Sequence, residues 1–355
     1  MTSKCLVSEL LAKIQLVRPA LSAQKHVPIL SHVCFTGEDL YAFDDIAFAQ
    51  EPFETDFAGA VPGEMLLQVL RAYPATAEVA LSKKKAGLEL AVKGRKTSTK
   101  LPMLEVDQFL FDSERYDAAK KCLKFTEGLQ NKLKRVLLGV GDSGHRVSMT
   151  GVVVTPEGTL WSTDNVTLTV LEEAHAGFKN KPFVLPKRLV EMLVAVELDD
   201  DDWTLHVSHG NYASLRTADT LVLAHSLAEG DPEEYGEVLD SVYGPGNESA
   251  SLPEDFGGTV NRALAITRDD SRKVIRLASD GKGLHVSAES TQGVPARIDD
   301  EFDVKGLTKV ECTVPAEAVS RALRHFGSVM GMAERALGFF AEDGVEHYIS
   351  YSATE

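Results

Sequence analysis

The chain has 355 residues, 44% of them hydrophobic and 25% charged, with a formal net charge of −16. Such an apolar content excludes bulk disorder, and no run of about 20 apolar residues exists to span a membrane as a helix. A surplus of acid argues, at face value, against adsorption to nucleic acid.

In chain order, Met1–Cys5 moves directly into amphipathic sequence without the apolar core of a secretion signal. A helix is predicted over Ser8–Leu21, with Leu10, Ile14, Val17 and Leu21 on one face. The strand Val27–Phe35, a Gly37-Glu38-Asp39 turn and the strand Leu40–Phe43 follow, and Asp44-Asp45 leads into a strand over Ile46–Gln50. Val61 then meets Pro62 at the start of an amphipathic helix. Proline suits the first helical position, since its φ is already helical and its missing N–H has no partner there. The same order returns with a helix near Gly128–Leu138, a strand over Val147–Val154, a Pro156-Glu157-Gly158 turn and Leu160–Thr163. Asp164-Asn165, the strand Val166–Leu171 and the junction at Leu185-Pro186 complete that copy. A third copy holds a helix near Thr259–Thr267, the strand Val274–Ala278, a Gly281-Lys282-Gly283 turn, Leu284–Ala288 and the junction at Val314-Pro315.

The three junction prolines lie 124 and 129 residues apart, about a third of the chain. Asp44 and Asp164 precede theirs by 18 and 22 residues. Period-two alternation in Ala77–Leu81, Leu88–Val92, Trp203–Val207, Leu221–Ser226 and Glu346–Tyr351 marks half-buried antiparallel strands. The expectation is an α+β chain of three repeated domains, 1–115, 116–245 and 246–355, each with two helices laid on antiparallel sheet. Linkers are expected around Phe111–Ala118 and Ser241–Leu252, the latter carrying Gly244-Pro245-Gly246-Asn247.

Val27-Pro28-Ile29-Leu30-Ser31-His32-Val33, followed by Phe43-Asp44-Asp45, resembles the opening of the bacterial DNA polymerase III beta subunit, the sliding clamp. Ser162-Thr163-Asp164 is similar to that family's second-domain Thr-Asp step, and Leu227–Gly230 with Tyr235, Val238 and Leu239 resembles the segment closing its second domain. The resemblance runs along the whole chain and is weakest in the last third. It implies a homodimer of three-domain subunits closed head to tail into a six-domain ring. Helices would line the hole, sheets would form the wall, and duplex DNA would thread the ring and be tethered to a polymerase. Double-stranded DNA, held without regard to sequence, and the short peptides of polymerase and clamp loader are the implied partners, in the cytoplasm and with no membrane.

A ring of that kind needs basic helix faces despite an acidic whole. At 100° per residue, Lys134 and Arg135 fall opposite Leu133 and Val136; Lys187 falls opposite Leu189, Leu193 and Val196; Arg321 and Arg324 fall opposite Val319, Leu323 and Phe326. Lys13, Arg18, Arg71, Arg262 and Arg268 lie on or at the ends of the remaining helices. Gln24, Lys25 and the hairpin tip Arg95-Lys96 are further candidates for DNA contact. Asp199–Asp202, Asp231–Glu234 and Asp299–Asp303 would carry the acidic surplus on the outside. A solvated helix face carries Lys and Arg in any case, so the case rests on several such faces in one acidic protein.

The resemblance also implies a groove for partner peptides at Leu168, Pro232, Val238, Leu239, Ile349 and Tyr351; ordinary core is the alternative for such side chains. The chain departs from the family there. Asn165-Val166-Thr167 stands where the family has Gly-His-Arg, and the end, Tyr348–Glu355, lacks a methionine-rich basic tail.

No enzyme, metal site or cofactor is expected. Gly139–Gly144 fits G-x-G-x-x-G but follows a predicted helix and precedes a strand, the reverse of a dinucleotide site. Asp199–Asp202 reads as a solvated turn, and Cys5, Cys34, Cys122 and Cys312, with no C-x-x-C pair, read as reduced thiols. The alternatives are a clamp-fold interaction module that neither closes nor loads on DNA, and an enzyme acting on phosphorylated substrates through Gly139–His145.

Overall fold

The computed structural model describes residues 3–22, 27–44, 47–85, 87–96, 98–106, 120–124, 128–141, 147–177, 181–195, 204–208, 212–216, 225–226, 228–229, 235–243, 248–292, 295–341 and 346–351. Within the first hundred residues, β1 (Ser3–Leu6) leads into α1 (Val7–Val17). Then come β2 (His32–Phe35), β3 (Asp39–Phe43), β4 (Phe48–Pro52) and β5 (Gly59–Pro62), paired in the order β4-β3-β2-β5. After α2 (Gly63–Arg71), the strands β6 (Glu78–Lys84), β7 (Gly87–Val92) and β8 (Ser98–Leu101) join β1 in a sheet ordered β1-β6-β7-β8. α1 buries Val7, Leu10, Ile14 and Val17, and α2 buries Leu66, Leu67 and Leu70. The two helices pack on each other, with α1 across β3 and β4.

The middle of the chain holds β9 (Lys120–Lys124), α3 (Leu129–Val136), β10 (Gly151–Val154), β11 (Leu160–Thr163), β12 (Thr167–Leu171), β13 (Phe183–Pro186) and α4 (Lys187–Ala195). β14 (Thr204–Ser208), β15 (Tyr212–Arg216), β16 (His225–Ser226), β17 (Ala228–Glu229) and α5 (Gly236–Tyr243) follow. The last third holds β18 (Ser249–Ser251), α6 (Phe256–Ile266), β19 (Val274–Ser279), β20 (Leu284–Glu289), β21 (Arg297–Phe302) and β22 (Glu311–Pro315). It ends with α7 (Ala316–His325), β23 (Val329–Ala333), β24 (Ala336–Phe340) and β25 (Glu346–Tyr351). Three further sheets result, ordered β16-β15-β14-β9, β21-β20-β19-β22 and β17-β13-β10-β11-β12-β25-β24-β23-β18. In the last, β12 pairs β25 antiparallel, so the middle and final parts of the chain share one nine-stranded sheet.

By contacts the chain divides into two compact units. The first is Met1–Gln130 with Arg188–Ala228; the second is Asn131–Lys187 with Glu229–Glu355. The middle of the chain therefore supplies β9, β14–β16 and most of α4 to the first unit and β10–β13 to the second.

The repeat shows in register. Each junction proline pairs with the first residue of a strand: His32 with Pro62, Gly151 with Pro186 and Val274 with Pro315. The prolines end their strands instead of opening the helices. Pro62 (φ −54°, ψ 113°) and Pro315 (φ −59°, ψ 125°) cap α2 and α7 from outside, because a fixed φ near −60° fits an extended residue as well as a helical one. The hairpin glycines Gly37, Gly158 and Gly281 have φ of +108°, +112° and +87° at matching places, a region closed to most side chains. Asp44 and Asp164 close matching turns, their Oδ1 atoms accepting the N–H of Ala47 at 2.7 Å and of Thr167 at 2.6 Å.

Several expected bounds change. Val27–Phe35 and Val147–Val154 are not continuous strands: Pro28–Ser31 and Val147–Thr150 form 3₁₀ turns ahead of β2 and β10. Pro28 cannot donate to a ladder, and its carbonyl accepts from Ser31 Oγ at 2.8 Å, which curls the chain instead. The helix over Ser8–Leu21 ends at Val17 in a 3₁₀ turn. Ser241–Leu252 is more than a linker, since Ser241–Tyr243 close α5 and Ser249–Ser251 form β18. Phe111–Ala118 lies outside the described residues. Gly139 ends a 3₁₀ turn after α3, where a side chain would run into Ser162 and Thr169. Close packing accounts for that glycine. Cys5 and Cys34 are free thiols pushed up to about 11 by burial, and Cys312 to about 12.

Candidate nucleic-acid interface and partner groove

In the second unit, α7 turns Ala316, Ala318, Val319 and Ala322 into the core, with Phe326 beneath its end. Leu323, expected in that core, is only half-buried; Ala322 takes the inward position, which rotates Arg321 to the flank and leaves Arg324 exposed. Arg321 Nη1 donates to the carbonyl of Leu138, in the turn after α3, at 2.9 Å. Arg324 Nη2 donates to Ser320 Oγ at 3.1 Å. Both guanidinium groups are thus held by neutral partners.

A cleft of about 530 Å³ opens beside them, lined by Arg268, Lys273, Glu317, Arg321, Arg324 and His325 among others. Among its described lining residues the carboxylate is Glu317, which lies 3.2 Å from Lys273. His325 is held below the ordinary histidine value, first by burial and then by the charges of Arg324, Arg135 and Arg321. Arginines from α3 and α7 therefore act on one space. Three of the expected DNA-contact residues (Arg268, Arg321 and Arg324) line it, Arg135 acts on His325 from α3, and Lys134 is exposed on the outer face of α3.

The other candidates are not gathered in this way. In the first unit Lys13 lies 3.4 Å from Glu51 and Arg18 2.7 Å from Glu64. Arg71 is exposed at the end of α2, and Arg95 sits over the Tyr73 ring at 5.7 Å, with Lys96 exposed beside it. Arg262 is paired with Asp300 on β21. Lys187 is half-buried at the start of α4. Gln24, Lys25, Asp199–Asp202 and Asp231–Glu234 lie outside the described residues. Lys273 and His325 were not among the sequence candidates, although His325 stands one helical turn from Arg321, a spacing that would have found it. Also missed was Arg188, whose Nη2 lies 2.6 Å from the buried Asp44 carboxylate and donates to the carbonyls of Pro19 and Leu21.

The expected partner groove centres on the β12–β25 pairing. Leu168 and Ile349 are direct cross-strand partners, 2% and 0% exposed, in an apolar cluster with Val153, Trp161, Val170, Val184, Val242 and Ala336. Leu239 from α5 and Tyr235 just before it pack on it, and the Tyr235 ring lies 5.8 Å from that of Trp161. Three of the named residues therefore converge, but Leu168 and Ile349 form a floor and not an open wall. A cavity of about 500 Å³ lies alongside, with Ser241, Lys309, Arg335 and the cluster's Ala333 and Ala336 in its lining. Pro232 and the side chains of Val238 and Tyr351 lie outside the described residues. Asn165, at the expected glycine position, has φ +69°, so the turn keeps its left-handed residue. Thr167, at the expected arginine position, is buried, its hydroxyl donating to Asp164 at 3.0 Å.

No family model and no curated protein matches the sequence. Solved structures do match. The DNA polymerase III beta subunit of Thermotoga maritima is 15% identical, with 100% of this chain and 99% of that one covered and a TM-score of 0.83. The sliding clamp of Bartonella birtlesii, bound to griselimycin, is 18% identical over 100% of both chains, TM-score 0.83. That of Pseudomonas aeruginosa is 15% identical over 100% of both, TM-score 0.79. Over its whole length the chain has the α+β fold of the DNA polymerase III beta sliding clamps.

Proposed function

We propose that this protein is a DNA sliding clamp, a non-enzymatic scaffold that encircles duplex DNA and tethers a replicative polymerase. One observation carries the reading: in a chain of net charge −16, Arg135, Arg268, Arg321 and Arg324 are drawn to one surface of the second unit. Contacts from such groups to phosphate are attractive, salt-sensitive and blind to sequence, which is what a ring that must slide requires. Enclosure then supplies persistence without tight binding, and the acidic remainder discourages DNA from settling elsewhere.

In this reading residues 1–115, 116–245 and 246–355 are the three clamp domains, and two subunits close head to tail. Two sheet edges suit the closure. β8 ends the sheet β1-β6-β7-β8 and carries exposed Lys100; β21 ends the sheet β21-β20-β19-β22 and carries exposed Asp299 and Glu301. Edges of opposite charge favour pairing with each other over pairing with themselves. Polymerase and clamp-loader peptides would dock along Leu239 and the cavity beside Leu168 and Ile349, with the work done in the cytoplasm.

Native mass in solution tests the closure. The expected value is twice that of one chain, falling to one chain in Glu301→Lys. A single-chain mass for the unaltered protein at micromolar concentration would favour a clamp-fold module that does not close.

A further inference from the structure

His325 stands at the C-terminal end of α7, beside Arg324 and one turn from Arg321. Among the described residues, the charged groups around it are Arg135 from α3, Arg268 at the end of α6, Lys273 ahead of β19, and Arg321, Arg324 and Glu317 from α7 itself. A helix C-terminus ordinarily favours a cation. Here the surrounding cations oppose it, and Glu317, the acid among the described lining residues, is engaged by Lys273 at 3.2 Å. Among the described residues, Arg321 donates to the carbonyl of Leu138 and Arg324 to Ser320, and neither charge is cancelled by those contacts. A cleft that gathers so many forked donors and so little negative charge suits an oxyanion, and the guanidinium fork matches the oxygens of a phosphate.

We propose that this cleft seats a phosphate group among Arg268, Arg321 and Arg324, and that filling the seat draws a proton from solvent onto His325. In taking the phosphodiester backbone of DNA as the source, the inference rests on the reading given above; the seat itself rests on the cleft. An anion among the arginines offsets their repulsion of an imidazolium, so the protonated form of His325 is favoured when the seat is full. By reciprocity the protonated protein binds the anion more tightly. The sign follows: occupancy rises as pH falls from 8 towards 6 and weakens as His325 loses its proton.

The test follows the histidine ring resonances of the full chain by NMR through a pH titration, with His325 assigned by its loss in His325→Gln. The probe is dimethyl phosphate, a diester whose charge does not change over this range, against chloride at equal ionic strength. The expected result is a rise of about one pH unit in the His325 midpoint with dimethyl phosphate alone. In Arg324→Gln, an exposed substitution, the midpoint without anion should already be higher, and the further rise should be lost. A midpoint that dimethyl phosphate does not move, or that moves as much with chloride or in Arg324→Gln, overturns the seat. Retention on circular DNA would be untouched by that outcome, which separates this failure from failure of the clamp reading. A short DNA duplex forms the second arm. A shift with dimethyl phosphate but none with the duplex overturns DNA as the source.

Discussion

The basic residues at α1 in the first unit and on α7 in the second differ in what their donors meet. In the first, Lys13 and Arg18 face Glu51 and Glu64, and Arg188 faces the buried Asp44. In the second, Arg321 and Arg324 give their hydrogen bonds to a carbonyl and a hydroxyl. A cation beside a carboxylate projects little field beyond it, whereas one held by neutral groups keeps its charge for a ligand. Counting Lys and Arg along the chain treats the two cases alike. Their environments set them apart, and the cleft proposed to take phosphate lies in the second unit.

The largest effect that would sharpen this contrast concerns Arg188. Asp44→Ala leaves that guanidinium without its acid and should cost about 2–3 kcal/mol of stability, less than for a fully buried pair because Arg188 is partly exposed. Denaturant unfolding measures it, and a loss below about 0.5 kcal/mol would mean that the pair does not hold the first unit together. Next, Arg321→Glu with Arg324→Glu should shorten the lifetime of rings on circular DNA at least tenfold and lower the salt slope of binding by about two. If Lys13→Glu with Arg18→Glu shortens that lifetime as much, the contrast between the units is broken. The smallest effect runs the other way. Glu64→Gln frees Arg18 from its carboxylate and should lengthen retention by no more than about twofold, with a salt slope steeper by at most about one.

The repeat was legible because its signals are local. A proline at each strand-to-helix junction, a glycine in each hairpin and an aspartate after each of two short strands recur in the same order, and the prolines return in matching register. The strand-like reading of Val27–Phe35 and Val147–Val154 went wrong because apolar side chains suit a 3₁₀ turn and a strand alike, and only hydrogen bonding decides between them. Helical periodicity placed Lys134, Arg321 and Arg324 off the buried faces, but one residue of rotation in α7 exchanged Leu323 for Ala322. The Arg188–Asp44 pair, the arrival of Arg268 and Lys273 beside α7, and the pairing of Leu168 with Ile349 join residues far apart in sequence. No periodicity encodes such meetings. The groove residues illustrate the limit: Leu168 and Ile349 were named together through a resemblance, and their burial as cross-strand partners came only with the fold.

Encirclement is tested most directly by loading the protein on nicked circular DNA, removing free protein, and following its release before and after the circle is cut to a linear molecule. Slow release from the circle and rapid loss over the new ends once it is cut are the expected results. Equal release rates from circle and line would contradict encirclement.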